Sequence, residues 1–208
     1  MPPSRPLRIG LYGGTFDPVH HGHLIGARDA LEQASLDLLV WIPCARSPHK
    51  AGPPLTSDAD RLALLERALS SLGEPRFLIS QLEIARARRQ PLSPSYTIDT
   101  VRAFRDAFPD AALFWLIGAD QLPKLGTWKE AAALRRLVTF LLLERTDDAG
   151  GKKGKQRKLP ARVAALPSPR IVTISATEIR RRVRAGLPVD HLVPRAVATS
   201  IAKRGLYR

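Results

Sequence analysis

A short stretch near the start of the chain, residues 9–23, constrains the fold more strongly than any other part of the sequence. An apolar run that ends at Tyr12 meets Gly13 and Gly14, and a polar turn separates them from an amphipathic run that begins near Gly22. This order predicts a strand, a tight turn and a helix. Glycines let a ligand approach the backbone, and the amides at the turn and at the helix start favour anions. The stretch therefore indicates either a phosphate-binding turn or a simple tight connection.

Histidines follow the turn at positions that help to distinguish a phosphate-binding turn from a simple tight connection. If the helix starts near Val19, His20 and His23 lie three residues apart and share a face, whereas His21 points elsewhere. Two imidazoles beside a phosphate cradle can donate hydrogen bonds to oxygens whose negative charge grows during phosphoryl or nucleotidyl transfer. The pair could also be half a zinc site, but Cys44 is the only cysteine and no Cys-x-x-Cys completes a tetrahedral set. Neither G-x-G-x-x-G nor the P-loop pattern fits the stretch.

The composition describes a globular chain of ordinary size. Of its 208 residues 44% are hydrophobic and 25% are charged, so we expect one domain that spans residues 1–208. No stretch approaches the length of a membrane span, and no signal-peptide pattern precedes the first predicted strand. One cysteine cannot form an internal disulfide, and we therefore expect the protein in the cytoplasm.

The net charge of +14 and the pI near 11.0 raise nucleic-acid binding as a hypothesis. The charge is uneven, however, with one basic group in residues 152–158 and another in residues 180–184. The first group belongs to residues 146–169, the longest predicted loop, which we expect to be flexible apart from some helix around 162–166. Neither group contains the interleaved aromatic residues used for base stacking, which argues against a nucleic-acid partner.

Beyond the first turn, the apolar pattern predicts helices and strands in alternation. The expected helices cover about 22–34, 58–72, 97–108, 128–137 and 195–203, and the expected strands cover 38–43, 77–84, 112–117, 138–143 and 170–174. Such alternation predicts an α/β fold with a doubly wound, mainly parallel sheet and helices on both faces. Residues 175–208 are expected to add a C-terminal helical extension to the same domain.

Several predicted helices have candidate capping residues at their starts. Ser57 or Asp58 can cap the second helix, and Ser95 or Thr97 can cap the third. A further helix start, at Ser175, has the capping-box spacing to Glu178. Its Thr177 and Arg180 are not needed for the cap, and a hydroxyl with a guanidinium at a helix start is well suited to phosphate. A polar loop is expected to begin at Arg86.

The complete first motif is more specific than its parts and runs Gly13-Gly14-Thr15-Phe16-Asp17-Pro18-x-His20-x-Gly22-His23. It resembles the signature of the nucleotidyltransferase superfamily with the H-x-G-H motif, whose members join a nucleoside triphosphate to a phosphorylated acceptor. The resemblance implies a Rossmann-like nucleotidyltransferase fold.

Later landmarks in the chain narrow this resemblance. They are Ser47-Pro48-His49-Lys50, Pro94-Ser95-Tyr96-Thr97-x-Asp99-Thr100, Gly118-Ala119-Asp120 with Trp128 eight residues after the aspartate, Ile174-Ser175-Ala176-Thr177-x-x-Arg180 and Gly205-Leu206-Tyr207. In this order they resemble the nicotinate-nucleotide adenylyltransferases, bacterial enzymes that make deamido-NAD from ATP and nicotinate mononucleotide. The chain departs from that family at Ser47, where proline is frequent, at Ala176, where a second serine is common, and in its basic loop.

The resemblance implies in-line attack of the mononucleotide 5′-phosphate on the α-phosphorus of ATP, with pyrophosphate leaving. The acceptor phosphate is already anionic, so catalysis would rest on alignment and charge stabilisation without a general base or a covalent intermediate. The implied catalytic residues are His20, His23, Lys50 and Arg180. The implied ATP-binding residues are Gly13, Gly14, Thr15, Phe16, Gly118, Asp120, Ser175 and Thr177. We expect no protein-held metal, and Mg²⁺ to arrive with ATP, because the motif supplies no carboxylate cage.

At the acceptor end, the resemblance implies contacts to nicotinate mononucleotide from Asp17, Tyr96, Thr97, Trp128 and Arg145. Trp128 would stack on the pyridine ring, Tyr96 and Thr97 would donate hydrogen bonds to the carboxylate, and Arg145 would add positive charge. Selectivity for the acid over the amide should follow, because a carboxylate only accepts hydrogen bonds. Without the resemblance, Trp128 is better explained as a core residue and residues 94–100 as a plain capped helix start.

Two rival functions remain at this point. The phosphopantetheine adenylyltransferase shares the first motif and an S-S-T-x-x-R element, but the Tyr96-Thr97 segment and Trp128 argue against it. An RNA-binding or assembly protein could use the basic loop and the arginine-rich helix, although the joint presence of His20, His23 and Arg180 argues for chemistry. The sequence leaves the oligomeric state open, and a homo-oligomer is compatible with it.

Overall fold

The protein is described by a computed structural model that covers residues 5–48, 55–143, 159–170 and 172–208. Within these residues, strands form one six-stranded parallel sheet. The strands are β1 (Arg8–Gly14), β2 (Leu38–Pro43), β3 (Phe77–Ile79), β4 (Ala112–Gly118), β5 (Thr139–Leu143) and β6 (Val163–Ala165). They lie in the order β3-β2-β1-β4-β5-β6. The predicted α/β fold with a doubly wound parallel sheet is therefore confirmed.

Helices connect and flank the strands, as the alternation predicted. They are α1 (His21–Gln33), α2 (Asp58–Ser70), α3 (Leu82–Arg89), α4 (Thr97–Ala107), α5 (Ala131–Leu137), α6 (Ala176–Arg184) and α7 (Arg195–Arg204), together with a 3-10 helix at Ala119–Thr127. The last two α-helices form the predicted C-terminal extension. No helix within the described ranges is long and apolar enough to cross a membrane.

The described residues group into two compact units, and the ranges given for each unit refer to those residues only. The first contains residues 1–12, 26–40 and 96–173. Its core is the near-continuous apolar run of β4, which pairs with β1 through Ile9 and Leu113 and with β5 through Trp115 and Phe140. Such runs are typical of strands that are buried on both faces.

The second unit contains residues 13–25, 41–95 and 174–208. Here α2 packs against α7, and an ion pair joins Arg204 to Asp60. The Ser57 side chain caps α2 by accepting a hydrogen bond from the Asp60 backbone N at 3.1 Å. This confirms one of the two predicted caps of that helix. The prediction that residues 1–208 form one domain stays a prediction.

The predicted strand at residues 77–84 is wrong beyond Ile79. The Ser80 side chain accepts a hydrogen bond from the Leu82 backbone N at 3.3 Å, and α3 begins at Leu82. The polar loop predicted to begin at Arg86 is also wrong, because α3 continues to Arg89. The apolar residues Leu82 and Ile84 lie two positions apart, which is the strand period. The good helix formers that follow decide in favour of the helix.

The predicted last strand at residues 170–174 is also absent from the described residues 170 and 172–174. The backbone N of Arg170 donates to the buried carboxylate of Asp29 at 2.7 Å, and the Arg170 guanidinium pairs with the same carboxylate at 2.6 Å. A backbone donor that is bonded to a side chain is lost to a sheet ladder. The sixth strand is instead β6, in which Val163 pairs with Phe140 of β5. The helix expected around 162–166 is therefore wrong.

The predicted caps of α4 are wrong. Its N-cap is Tyr96, which has extended backbone angles and makes no side-chain cap. Ser95 instead bonds to the segment after β2: its backbone N donates to the Arg46 carbonyl at 2.8 Å, and its hydroxyl accepts from the Arg46 backbone N at 3.4 Å. The serine is therefore used for a contact across the chain that local spacing does not reveal.

Candidate active site

The first motif lies where β1 ends and α1 begins. His20 precedes α1 and is buried, and His23 lies in its first turn and is partly exposed. The two rings stack with centroids 3.6 Å apart, although α1 begins at His21 and not near Val19 as expected. The His20 backbone N donates to Nδ1 of His23 at 3.3 Å. Because Nδ1 accepts this hydrogen bond, a neutral His23 ring carries its proton on Nε2.

Gly22 makes this stack sterically feasible. A Cβ at position 22 would lie 3.1 Å from Nδ1 of His20 and 3.2 Å from its Cε1. Such contacts are tighter than about nine in ten real Cβ contacts, so a larger residue would shift the His20 ring by a few tenths of an ångström. The glycine of the H-x-G-H pattern is thus explained by the close approach of the first histidine ring.

Phe16 supports the histidine pair from the side. Its ring contacts His23 edge-on at 5.1 Å and Trp41 at 5.3 Å, and it is 2% exposed. Its φ of 48° is unusual for a bulky residue and persists only where the surroundings determine the conformation. The turn is therefore held in a specific shape beside His23. An ATP contact of Phe16 stays a prediction.

The carboxylate of Asp17 is buried and hydrogen-bonded inside the protein. Its Oδ1 accepts from the Thr56 hydroxyl at 2.6 Å and from the Tyr207 hydroxyl at 2.7 Å, and its Oδ2 accepts from the Leu55 backbone N at 2.8 Å. The residue is 4% exposed. This placement favours a role in holding the motif over the predicted contact with the mononucleotide, which remains a prediction.

The start of α6 supplies the second predicted phosphate group. The Ser175 hydroxyl accepts from the Glu178 backbone N at 3.2 Å, which confirms the predicted cap. The Arg180 guanidinium donates to the Asp17 carbonyl oxygen at 2.7 Å and to the Thr177 hydroxyl at 3.2 Å. The structure therefore brings Thr177 and Arg180 together with the first motif within the same unit.

A further residue of this region, Arg61, was missed by the sequence reasoning. It is fully buried and donates to the Thr15 carbonyl oxygen at 2.7 Å, and its guanidinium also pairs with Asp58. Arg61 lies four residues before Leu65 and seven before Ala68, on the apolar face of α2. A lone charge on such a face is the signal that could have found it.

The glycines of the first motif end β1, where the Gly14 carbonyl oxygen accepts from the Cys44 backbone N at 2.8 Å. In the other unit, Gly118 ends β4 and Asp120 lies in the first turn of the 3-10 helix. Asp120 is exposed, and its Oδ2 accepts from the Gln121 side-chain amide at 2.6 Å. An exposed carboxylate at the end of a strand is accessible to a ligand.

The predicted acceptor residues Tyr96, Thr97 and Trp128 belong to the same unit as Asp120. Trp128 is partly exposed, and its ring packs edge-on against Phe140 with centroids 6.1 Å apart. The Lys129 ammonium lies over the Tyr96 ring at 4.4 Å from its centroid. Tyr96 and Trp128 therefore each have one side fixed by a neighbouring group while they remain partly exposed.

The predictions for Lys50 and Arg145 fall outside the described residues. Within the described ranges, no group of three or more His, Cys, Asp or Glu side chains could hold a metal ion. The region of the first motif presents imidazole, guanidinium and backbone groups, and its one buried carboxylate is bonded internally. This donor set is suited to phosphate oxygens, and a divalent cation would fit here when it is coordinated by the phosphates.

Comparison with known proteins agrees with this chemistry. The model of the family described as cytidylyltransferase-like matches residues 11–182. A protein of Methylacidiphilum infernorum named "Probable nicotinate-nucleotide adenylyltransferase" is 40% identical over 201 residues, which are 97% of this chain and 92% of the relative. A Thermus thermophilus protein of the same name is 40% identical over 202 residues, 97% of this chain and 100% of the relative.

Solved structures share the fold. Nicotinic acid mononucleotide adenylyltransferase of Plasmodium falciparum, complexed with NaAD, superposes with a TM-score of 0.74 over 96% of this chain and 97% of its own, at 18% identity. Identity at that level supports the fold alone. The sequence relatives extend over nearly the whole chain, and the chain belongs to the cytidylyltransferase-like family and, within it, to the nicotinate-nucleotide adenylyltransferases.

Proposed function

We propose that this protein transfers AMP from ATP to nicotinate mononucleotide, giving deamido-NAD and pyrophosphate as a step of NAD biosynthesis. The observation that carries the proposal is the stacked His20–His23 pair in the same unit as Arg180, whose guanidinium bonds to the first motif itself. This is a concentration of hydrogen-bond donors, which suits direct transfer between phosphates.

The histidine pair serves the ATP phosphates in this proposal. A neutral His23 donates through Nε2–H to the reacting α-phosphate, and the stacked His20 ring holds His23 in one orientation. Charge on the phosphate oxygens grows as the bond to pyrophosphate breaks, so a donor placed beforehand stabilises the transition state more than bound ATP.

Arg180 and the surrounding groups act on the remaining phosphates. The guanidinium offsets charge on the departing pyrophosphate, with hydrogen bonds from Thr15, Ser175 and Thr177 as additional contacts. Lys50 is proposed to add a second cation, and Asp120 to bind the adenosine ribose. Gly13 and Gly14 supply backbone amides at the turn.

Mg²⁺ is proposed to enter with ATP. The cation would neutralise charge on the phosphate oxygens, while the chain contributes the imidazole and guanidinium donors around them. Because no protein carboxylate is assigned to the metal, the chain alone is expected to bind Mg²⁺ only weakly.

The acceptor is proposed to be read by Trp128, Tyr96 and Thr97, with Arg145 adding charge. Trp128 offers a ring face to the pyridine, and donors near Tyr96 and Thr97 suit a carboxylate better than an amide. The relatives that are 40% identical carry the name of the enzyme for this acceptor. The cytoplasm is the proposed location, because the single cysteine is compatible with a reducing compartment.

The test is a panel of phosphorylated acceptors with ATP, read by pyrophosphate release. Nicotinate mononucleotide should give a kcat/KM at least about 10²-fold above that of nicotinamide mononucleotide, because the amide would turn donor hydrogens toward protein donors. Equal kcat/KM for the two would contradict the acceptor assignment. If phosphopantetheine were the one acceptor in the panel that gave turnover with ATP, the rival adenylyltransferase would be favoured.

A further inference from the structure

The last residues of the chain contact the first motif through Tyr207. We propose that Tyr207, acting through the Asp17 carboxylate, is a positioning residue that holds the Arg180 guanidinium ready for the triphosphate of ATP. This inference rests on the proposed function for the identity of the phosphate ligand. The resemblance includes Gly205-Leu206-Tyr207 without giving Tyr207 a role, and the family model ends at residue 182.

The contacts of Asp17 form the first step of the argument. Three donors converge on its carboxylate, the hydroxyls of Tyr207 and Thr56 on Oδ1 and the Leu55 backbone N on Oδ2. A carboxylate has about four acceptor positions, so most of its capacity is used. With Asp17 at 4% exposure and Tyr207 at 7%, water does not compete strongly for these hydrogen bonds.

The second step links this carboxylate to Arg180. The carbonyl oxygen of the same residue, Asp17, accepts from Nη1 of Arg180 at 2.7 Å. When the side chain of Asp17 is fixed, its backbone carbonyl is fixed with it. Arginine loses side-chain rotamer entropy on binding a ligand, and an existing bond to the protein reduces that loss. Two of its five N–H donors are bonded in the described structure, which leaves others for phosphate oxygens.

The third step is the conformation that brings Tyr207 to Asp17. Gly205 ends α7 with a φ of 60°, a left-handed turn that reverses the chain. Tyr207 itself has a φ of 65°, which is rare for an aromatic residue. Burial and the hydrogen bond to Asp17 raise the pKa of Tyr207 well above its ordinary value, so its hydroxyl stays a donor at neutral pH. Tyr207 thus combines a rare backbone conformation with a buried hydrogen bond, and such a combination is typical of a position that has a specific role.

A purely structural lock would use the same contacts, and only coupling to Arg180 separates the two roles. The experiment compares Tyr207→Phe with the wild type by the Kd for MgATP, measured calorimetrically without any acceptor, and repeats the pair in an Arg180→Ala background. Ser71→Ala is the control, because it removes a hydrogen bond of the same length, 2.7 Å to the Ala68 carbonyl, from the end of α2. Thr56→Val removes the other hydroxyl from Oδ1 and serves as a second variant if Tyr207→Phe does not fold.

We expect Tyr207→Phe to weaken MgATP binding about fivefold when Arg180 is present and to have nearly no effect when it is absent. Ser71→Ala should leave the Kd unchanged in both backgrounds. The same fold-change in both backgrounds, or no change in either, would overturn the inference. The acceptor plays no part in this measurement, so failure of turnover with nicotinate mononucleotide would reject the proposed function separately. A wild type that does not bind MgATP would reject both.

Discussion

Two regions of the molecule carry the predicted substrate contacts, and they are built differently. Around the first motif, buried charged groups bond to backbone: Arg61 to the Thr15 carbonyl, and Asp17 to the Leu55 amide. Around Trp128 the contacts include ring packing and ion pairs between exposed side chains. Arg102 and Glu130, for example, form a pair whose side chains are 48% and 41% exposed.

The difference indicates which region tolerates change. A buried charged group that loses its hydrogen-bond partner is costly, whereas exposed ion pairs each contribute little to stability. The region proposed for the ATP phosphates is therefore expected to be rigid before ATP binds, as charge stabilisation requires. The region proposed for the acceptor depends on ring faces and separate donors, so single substitutions there should change binding more than the chemical step.

The largest expected effect tests the first region. His23→Ala should lower kcat for pyrophosphate release on the order of 10²-fold or more, because it removes a donor to the reacting phosphate. His21→Ala is the matched control: His21 lies two positions away, its ring is not part of the stack, and its backbone N is bonded to the Leu192 carbonyl. Near wild-type turnover of a folded His23→Ala protein would contradict the assignment.

A smaller effect, in a different kinetic constant, is expected from the second region. Trp128→Ala should raise the KM for nicotinate mononucleotide roughly 10-fold or more, as expected for the loss of aromatic stacking. The KM for ATP should change much less, and Trp128→Phe should restore most of the acceptor affinity. Steady-state kinetics with each substrate varied in turn would measure this. Equal losses for both substrates would mean that Trp128 is a core residue of its unit and no acceptor contact.

The smallest effect concerns the stability of the buried hydrogen bonds. The folded-state pKa of Tyr207 lies above its ordinary value of about 10, so the contribution of its hydroxyl is fully present below pH 10 and is lost as the pH rises further. Relative to Tyr207→Phe, the free energy of unfolding of the wild type should fall by about 1.4 kcal/mol for each pH unit above 10. Denaturant unfolding of both proteins from pH 8 to 11 would measure the difference. A constant difference would show that the hydroxyl titrates normally.

Much of the fold followed from local patterns. The unbroken apolar run of β2 predicted its bounds without error, and Ser57 marked the start of α2. Errors arose where a local pattern was overruled. Leu82 and Ile84 have the strand period but lie in α3, and Arg170 lost its backbone donor to Asp29, which lies 141 residues away. No window of sequence contains such a partner.

By itself, the sequence determined the type of fold, the family and the pairing of His20 with His23, because these depend on residue types at short, regular spacings. Only the tertiary structure decided what holds those groups in place. Asp17 bonds to Thr56 and Tyr207, 39 and 190 residues away, and Arg61 bonds to a carbonyl oxygen 46 residues away. Buried hydrogen bonds of this kind depend on which groups meet when the chain folds, and spacing along the chain does not encode that meeting.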